Sequence, residues 1–180
     1  MTAFPTVESI VGNFRSYLDR ATAENLRDAE SWYSQATDFA CGLCAIRSDW
    51  SLVQAASVIS ALSPRERWNS NLAKAMAFAC GQPIRGLGAN IRRAERASRD
   101  GYAALTGPKT LAFAQAIAGD RDAVVIDTWM LKASGCGRKS VTGKQYGILA
   151  SAIRILALER GMDARTVQAA IWIVARGAAQ

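Results

Sequence analysis

The sequence predicts an all-α fold, and three observations carry that prediction. Apolar residues recur at spacings of three and four, while alternation with period two is nearly absent. Capping residues, glycines and prolines fall at the ends of the periodic runs. Half of the 180 residues are hydrophobic, enough to bury a proper core.

The first helix carries Val7, Ile10, Val11, Phe14 and Leu18 on one face, with Thr6 as its cap and Glu8 in its first turn. A second runs from Ala29 to Ile46 and holds Trp32, Tyr33, Phe39 and Leu43. Ser48-Asp49 start a third, Trp50 to Leu62, apolar enough to be central. Ser63-Pro64 stops it, because proline disfavours helix in the residue before it. Arg65-Glu66-Arg67-Trp68 begins a helix to about Cys80, and Gly81-Gln82-Pro83 and Gly86-Leu87-Gly88 bracket a loop. Asn90 to Arg99 is short and basic, and Tyr102 to Leu105 leads to a tight turn at Gly107. Pro108 opens the next helix where a missing N–H does no harm. Leu111, Ala112, Ala114 and Ile117 carry it to the break Gly119-Asp120-Arg121-Asp122. A short run, Ala123 to Ile126, delivers Asp127 to a further helix start. Ser134 to Ser140 then reads as a flexible, basic loop. Thr142 to Arg160 and Asp163 to Arg176 complete the set, the last capped by Asp163.

Lys109 and Asp127 thus stand at two helix starts, 18 residues apart. Taken alone, they read as a solvated lysine and an N-cap. Gly-x-Lys-Thr at 107–110 entering an apolar helix, followed by Val-Ile-Asp-Thr at 125–128, resembles the helix-hairpin-helix (HhH-GPD) DNA glycosylase superfamily, in particular its endonuclease III-like branch. In that branch a lysine follows the hairpin glycine, and a Val-Asp-Thr-His stretch carries the essential aspartate at the same separation. Upstream, Val58 to Arg65 is similar to the family's apolar helix ending in Leu-Ser-Ala-Gln. Downstream, Trp172 lies in an apolar helix ending at Arg176, like a C-terminal Trp helix of the family. The resemblance covers roughly residues 50 to 176. It departs in three places: Leu105 stands at the first hairpin glycine, Trp129 replaces the histidine, and the iron–sulfur cysteines are absent.

The fold so implied is a two-lobed helical glycosylase-like fold with a shortened hairpin and no iron–sulfur cluster. It would be one compact unit over 1–180, with lobe one at about 50–125 and lobe two at about 1–49 plus 126–180.

Composition narrows the chemistry. Residues 1–60 hold four Arg against seven Asp and Glu, and residues 61–180 hold eighteen Lys and Arg against eight, which gives −3 and +10. A one-faced polyanion binder would show that asymmetry, and so would a merely basic protein. The absence of histidine excludes Ser-His-Asp and Cys-His hydrolases, HExxH zinc enzymes and histidine-ligated zinc deaminases. Any acid–base or nucleophilic step falls to Asp, Glu, Lys, Cys or Tyr. Cys41 and Cys44 form a C-x-x-C inside an apolar helical run, but Cys80 and Cys136 do not supply the second pair of a zinc site. The four read as reduced, structural cysteines, with no metal or cofactor. No run approaches the ~20 apolar residues of a membrane span. The first residues, Met1-Thr2-Ala3-Phe4-Pro5, lack a signal-peptide layout, so a cytoplasmic location is expected.

The resemblance implies base excision from DNA. Asp127 is the catalytic carboxylate, which would stabilise the cationic sugar of the transition state and orient or deprotonate the attacking nucleophile. Lys109 is either a nucleophile on C1′, which would add lyase activity and requires a neutral amine, or a phosphate contact. The target base must leave the stack, and Arg65 occupies the family's gap-filling position, although a phosphate contact fits it equally. Trp129, Trp32, Tyr33 and Trp68 are available as walls of a base pocket. Gly107 and Thr110 at the helix start, with Arg67, Arg92, Arg93, Arg96, Arg138, Lys139 and Lys144, would meet phosphates of double-stranded DNA. No obligate protein partner is evident, and a monomer is expected. Two other readings stay open: a non-catalytic DNA-binding module on the same scaffold, and an enzyme that modifies unusual bases without excising them.

Overall fold

A computed structural model describes residues 4–177. Met1 to Ala3, where the reading for a targeting signal begins, lie outside them. Among the described residues the chain is all-helical: α1 (Val7–Leu18), α2 (Ala23–Ile46), α3 (Leu52–Leu62), α4 (Trp68–Ala79), α5 (Gly88–Asp100), a 3₁₀ turn (Gly101–Ala104), α6 (Pro108–Ile117), α7 (Thr128–Ala133), α8 (Gly143–Arg160) and α9 (Ala164–Arg176). None of these helices is long and apolar enough to cross a membrane. The chain divides into two compact units, Met1–Tyr33 with Asp120–Gln180 and Ser34–Gly119, the first boundary falling within α2.

Several helix starts differ from the sequence expectation, each for a local reason. α2 begins at Ala23 rather than Ala29, because Thr22 and Asn25 cap each other reciprocally: each backbone N–H donates to the other's side-chain oxygen at 3.2 Å. Asparagine takes the place that Glu or Gln fills in the usual capping box. α4 begins at Trp68 rather than Arg65, since Ser63 to Glu66 forms a turn closed by Glu66 N–H on Ser63 C=O. Arg65 sits there at φ 66°, the one non-glycine residue with positive φ among the described residues. Asp163 occupies the N-cap position of α9 without a side-chain capping bond. Its carboxylate instead faces Arg121 Nε at 3.5 Å.

Within Ser34–Gly119, α3 is the central element and packs against α4, α5, α6 and the 3₁₀ turn. Eight consecutive residues, Ala55 to Leu62, are buried, so α3 is enclosed all round. Its start is fixed by a capping box between Ser51 and Gln54. Gln54 Nε2 also donates to the Ser98 and Arg99 carbonyls at 3.0 and 3.1 Å, tying that start to the end of α5.

In the other unit, Ile10 and Phe14 of α1, Met130 of α7, Leu149, Ile153 and Leu156 of α8, and Val167 and Ile171 of α9 are fully buried. Each contributes about 1.5–3 kcal/mol by leaving water. In the same unit, Ala123 to Ile126, ahead of α7, is also buried. Its backbone groups belong to no helix and still require partners. Tyr146 supplies two of them: its hydroxyl donates to Val124 C=O at 2.8 Å and accepts from Ile126 N–H at 3.1 Å. Arg154 holds the segment's beginning, donating to Asp122 C=O at 2.9 Å and to its carboxylate at 2.9 Å.

Burial pushes the Tyr146 phenol up to about 12 from its ordinary 10.0. The folded state therefore favours the neutral phenol, so this stabilisation is whole below pH 10.0 and is lost as pH rises toward 12. Tyr146→Phe strands a buried carbonyl and N–H, and is expected to lower stability by about 1–3 kcal/mol in denaturant unfolding near neutral pH. Its stability should then fall less steeply than the parent's across the alkaline range. Parallel falls would contradict the role given to the phenol.

Candidate functional site

α7 has six residues, too few to persist as an isolated helix. Asp127 holds its beginning. Oδ1 accepts the Trp129 and Met130 N–H groups, each at 2.9 Å. Oδ2 accepts the indole Nε1–H of Trp172, on α9, at 2.8 Å. A carboxylate has about four acceptor sites, so one on Oδ2 stays open. Asp127 is half-buried, and Thr128 beside it is exposed.

Trp172 is itself held from its ring face by the Arg176 guanidinium, 4.8 Å from the ring centroid. Sequence reasoning placed Trp172 only through the resemblance, because local spacing does not show which distant indole N–H reaches the Asp127 carboxylate. Tyr33 and Tyr146 lie close enough to Asp127 that its charge adds to the elevation of both phenols, though burial is the larger cause. Tyr33 is buried and donates to Gln168 Oε1 at 2.8 Å. Trp32 meets it edge-on at 4.7 Å, and the Arg165 guanidinium lies 5.7 Å over its ring. Trp129 is half-buried, with Lys132 Nζ 5.4 Å from its ring centroid.

The loop after α7 is pinned where the sequence suggested flexibility. Asn13 donates to Ser134 C=O at 2.9 Å, Ser134 Oγ donates to Leu131 C=O at 2.7 Å, and Cys136 N–H donates to Ser134 Oγ at 3.3 Å. Gly135 has φ 70°, and a Cβ there would lie 2.5 Å from Asn13 Nδ2. Arg138 follows, 5.8 Å over the Phe4 ring, and Lys139 is exposed. Asp127, Trp129, Arg138 and Lys139 are thus brought together on one short, braced stretch. Lys144 is exposed in the first turn of α8.

The remaining candidates lie in Ser34–Gly119. Gly107, at φ 92°, precedes Pro108 at the start of α6, and Lys109 is exposed in that first turn. Ser60 Oγ of α3 donates to Thr110 C=O at 2.6 Å, fixing the turn to the central helix. The Thr110 hydroxyl faces the carbonyls of Thr106 and Gly107 at 2.9 and 3.1 Å. Arg65 and Arg67 are exposed on the α3–α4 turn, while Trp68 packs edge-on to Phe113 at 6.1 Å. Glu66 between the two arginines bonds Lys74 and Ser70, and the Lys74 ammonium holds its carboxyl below the usual range. Asn90 Nδ2 donates to Pro64 C=O at 3.0 Å, joining this turn to α5, where Arg92 and Arg96 are exposed and Arg93 is half-buried.

Among the described residues no three His, Cys, Asp or Glu side chains gather as metal ligands. Cys41 and Cys80 are exposed, Cys44 is half-buried and Cys136 is buried, all four as free thiols.

The model of one protein family, described as a family of unknown function (DUF7178), matches residues 2–179 of the chain. Comparison with curated proteins and with solved structures gives no match.

Asp127→Ala removes the cap and the acceptor for Trp172, and is expected to cost about 2–4 kcal/mol in denaturant unfolding. Asp127→Asn keeps the Oδ1 cap but opposes an amide N–H₂ to the indole N–H, at a cost of about 1–2 kcal/mol. Combining Asp127→Asn with Trp172→Phe removes that donor–donor conflict, so the two costs should be less than additive. Full additivity would show that residues 127 and 172 do not act as a pair.

Proposed function

We propose that this chain, which belongs to the family of unknown function DUF7178, is a DNA glycosylase of helix-hairpin-helix type, with a shortened hairpin and Asp127 as its catalytic carboxylate. The observation that carries the reading is the Asp127 carboxylate itself: it is fixed by three donors, half-buried rather than sealed, and retains one open acceptor site on Oδ2. It lies at the position where the sequence resembles the family's essential aspartate.

Such a group suits cleavage of an N-glycosidic bond. As the bond from C1′ to the base lengthens, the base takes the electron pair and the sugar becomes cationic. A carboxylate already fixed in place stabilises that charge without reorganising. Its open lone pair can accept a proton from the water that adds to C1′. Trp172 positions the carboxylate, and Trp129, two residues along, is the aromatic surface nearest in sequence for an extruded base. Lys109 serves either as an amine nucleophile, forming a Schiff base with C1′, or as a phosphate ligand beside the α6 amides. Arg65, held outward on a left-handed backbone, is suited to the gap left by the extruded nucleotide.

A second reading has its own observation. Three of the four acceptor sites of Asp127 serve local structure, which is what a capping residue in a non-catalytic DNA-binding module would show.

Incubation with duplexes carrying a panel of damaged and modified bases, followed by detection of abasic sites, separates the readings. Asp127→Asn should slow base release by at least about 100-fold while leaving duplex affinity within about twofold of the parent; undiminished release would exclude Asp127 from the chemistry. Lys109→Gln should abolish borohydride trapping if the amine is the nucleophile, and leave base release intact if it is a phosphate ligand. Duplex affinity should fall by about 10³-fold or more between 50 and 200 mM salt. A salt-insensitive affinity would contradict a phosphate footprint.

A further inference from the structure

An open pocket of about 500 Å³ lies beside α7, lined by Thr128, Leu131, Lys132, Gly135, Gly137, Arg138 and Lys139. Three of these residues are cationic, and none is acidic. The buried Leu131 gives the pocket an apolar component, and Lys132 and Lys139 are exposed at its mouth. Its size falls within the range of small-molecule sites, about 300–1,000 Å³, and exceeds what a bare phosphate fills. A phosphate together with its sugar is a closer match.

The pocket is built rather than incidental. Its wall is the loop whose carbonyls and hydroxyls are fixed by Asn13, Ser134 and Cys136. Cys136 Sγ adds a contact to Leu131 C=O at 3.5 Å, closing the loop back on α7. Gly135 and Gly137, at φ 70° and 64°, bring the backbone to the lining without side chains. Around Gly137 a Cβ would meet nothing within 4 Å, so the space there is open. Lys132 Nζ lies 5.4 Å from the Trp129 ring centroid and the Arg138 guanidinium 5.8 Å from the Phe4 ring centroid, so each cation has an aromatic face beside it.

We infer that this pocket binds one nucleotide unit through its phosphate, with Lys132, Arg138 and Lys139 as the cationic ligands and the Thr128 hydroxyl as a further donor. Thr128, which lines the pocket, directly follows Asp127 in the chain. The inference deepens the DNA reading, but the pocket itself rests only on its charge, size and bracing. The same phosphate chemistry is available from a DNA strand or from a free nucleotide.

The test compares the parent with a Lys132→Gln, Lys139→Gln double variant, both positions being exposed and so substitutable without unfolding, as a thermal midpoint checks. Three probes are titrated: a short duplex by fluorescence anisotropy, and a deoxynucleoside 5′-monophosphate and inorganic phosphate by ligand-observed NMR. If the phosphate belongs to a strand, the double variant binds duplex about 10-fold more weakly at low salt, with a salt slope shallower by about two, one for each lysine removed, while the parent ignores the mononucleotide. If it belongs to a free nucleotide, the parent binds the monophosphate and the variant does not. Unchanged affinity for the duplex, with no monophosphate or phosphate binding by the parent, overturns the pocket. Base release distinguishes the two proposals. Lysine-dependent duplex binding without base release would sink the glycosylase and keep the pocket, whereas release with lysine-independent binding would sink the pocket and keep the glycosylase.

Discussion

Everything at the candidate site depends on one carboxylate doing two structural jobs at once. A six-residue helix lacks the hydrogen bonds to stand alone, and α7 exists because Asp127 satisfies its first amides while Trp172 anchors the same side chain to α9. The apolar residues Met130, Leu131 and Ala133 then bury the other side of α7. Because the cap and the anchor use different oxygens, neither can shift without disturbing the other. Rigidity of this kind is what a charge-stabilising group needs, and it is also what a purely architectural cap would have.

The approach to that carboxylate follows the same economy. Four buried residues run into Asp127 outside any helix, and a single phenol bonds two of their backbone groups. Tyr146 from α8 and Asn13 from α1 bond backbone groups before and after α7, and Trp172 from α9 bonds the Asp127 side chain, so three different helices each send one polar side chain to the surroundings of α7. Buried irregular chain is unstable unless its amides and carbonyls find partners, and here the helices supply them.

Helical class and most helix positions were legible in the sequence because the apolar spacing is regular and the caps are ordinary. Thr6 and Thr142 each cap as their residue type suggests, whereas α3 begins at Leu52 rather than at Trp50, because the Ser51–Gln54 capping box, not Ser48-Asp49, sets its start. The start of α2 was not legible, since Thr22 and Asn25 make a reciprocal cap with an unusual partner. Nor was the fate of Asp163, whose carboxylate faces a cation from outside its own helix. Of the site, Asp127 could be read as an N-cap from local pattern alone. Its bond to Trp172, 45 residues on, could not. Local spacing encodes what a helix start does to its own amides; it does not encode which distant indole arrives at the second oxygen. The loop at 134–137 misled for the same reason: glycine and serine suggest mobility, while the bracing amide sits on Asn13, 121 residues earlier than the carbonyl it holds.

The close approach of Asn13 to Gly135 bears on how this sequence can drift. The hydrogen of Gly135 is all that fits beneath the Asn13 amide, and its left-handed backbone already disfavours any side chain. Shortening residue 13 first would free the space but unfasten Ser134, while enlarging residue 135 first would force the asparagine away. Every single-step path between tolerated pairs therefore passes through a weakened intermediate, so relatives that keep this loop should carry the two residues as a couple, exchanged together or not at all.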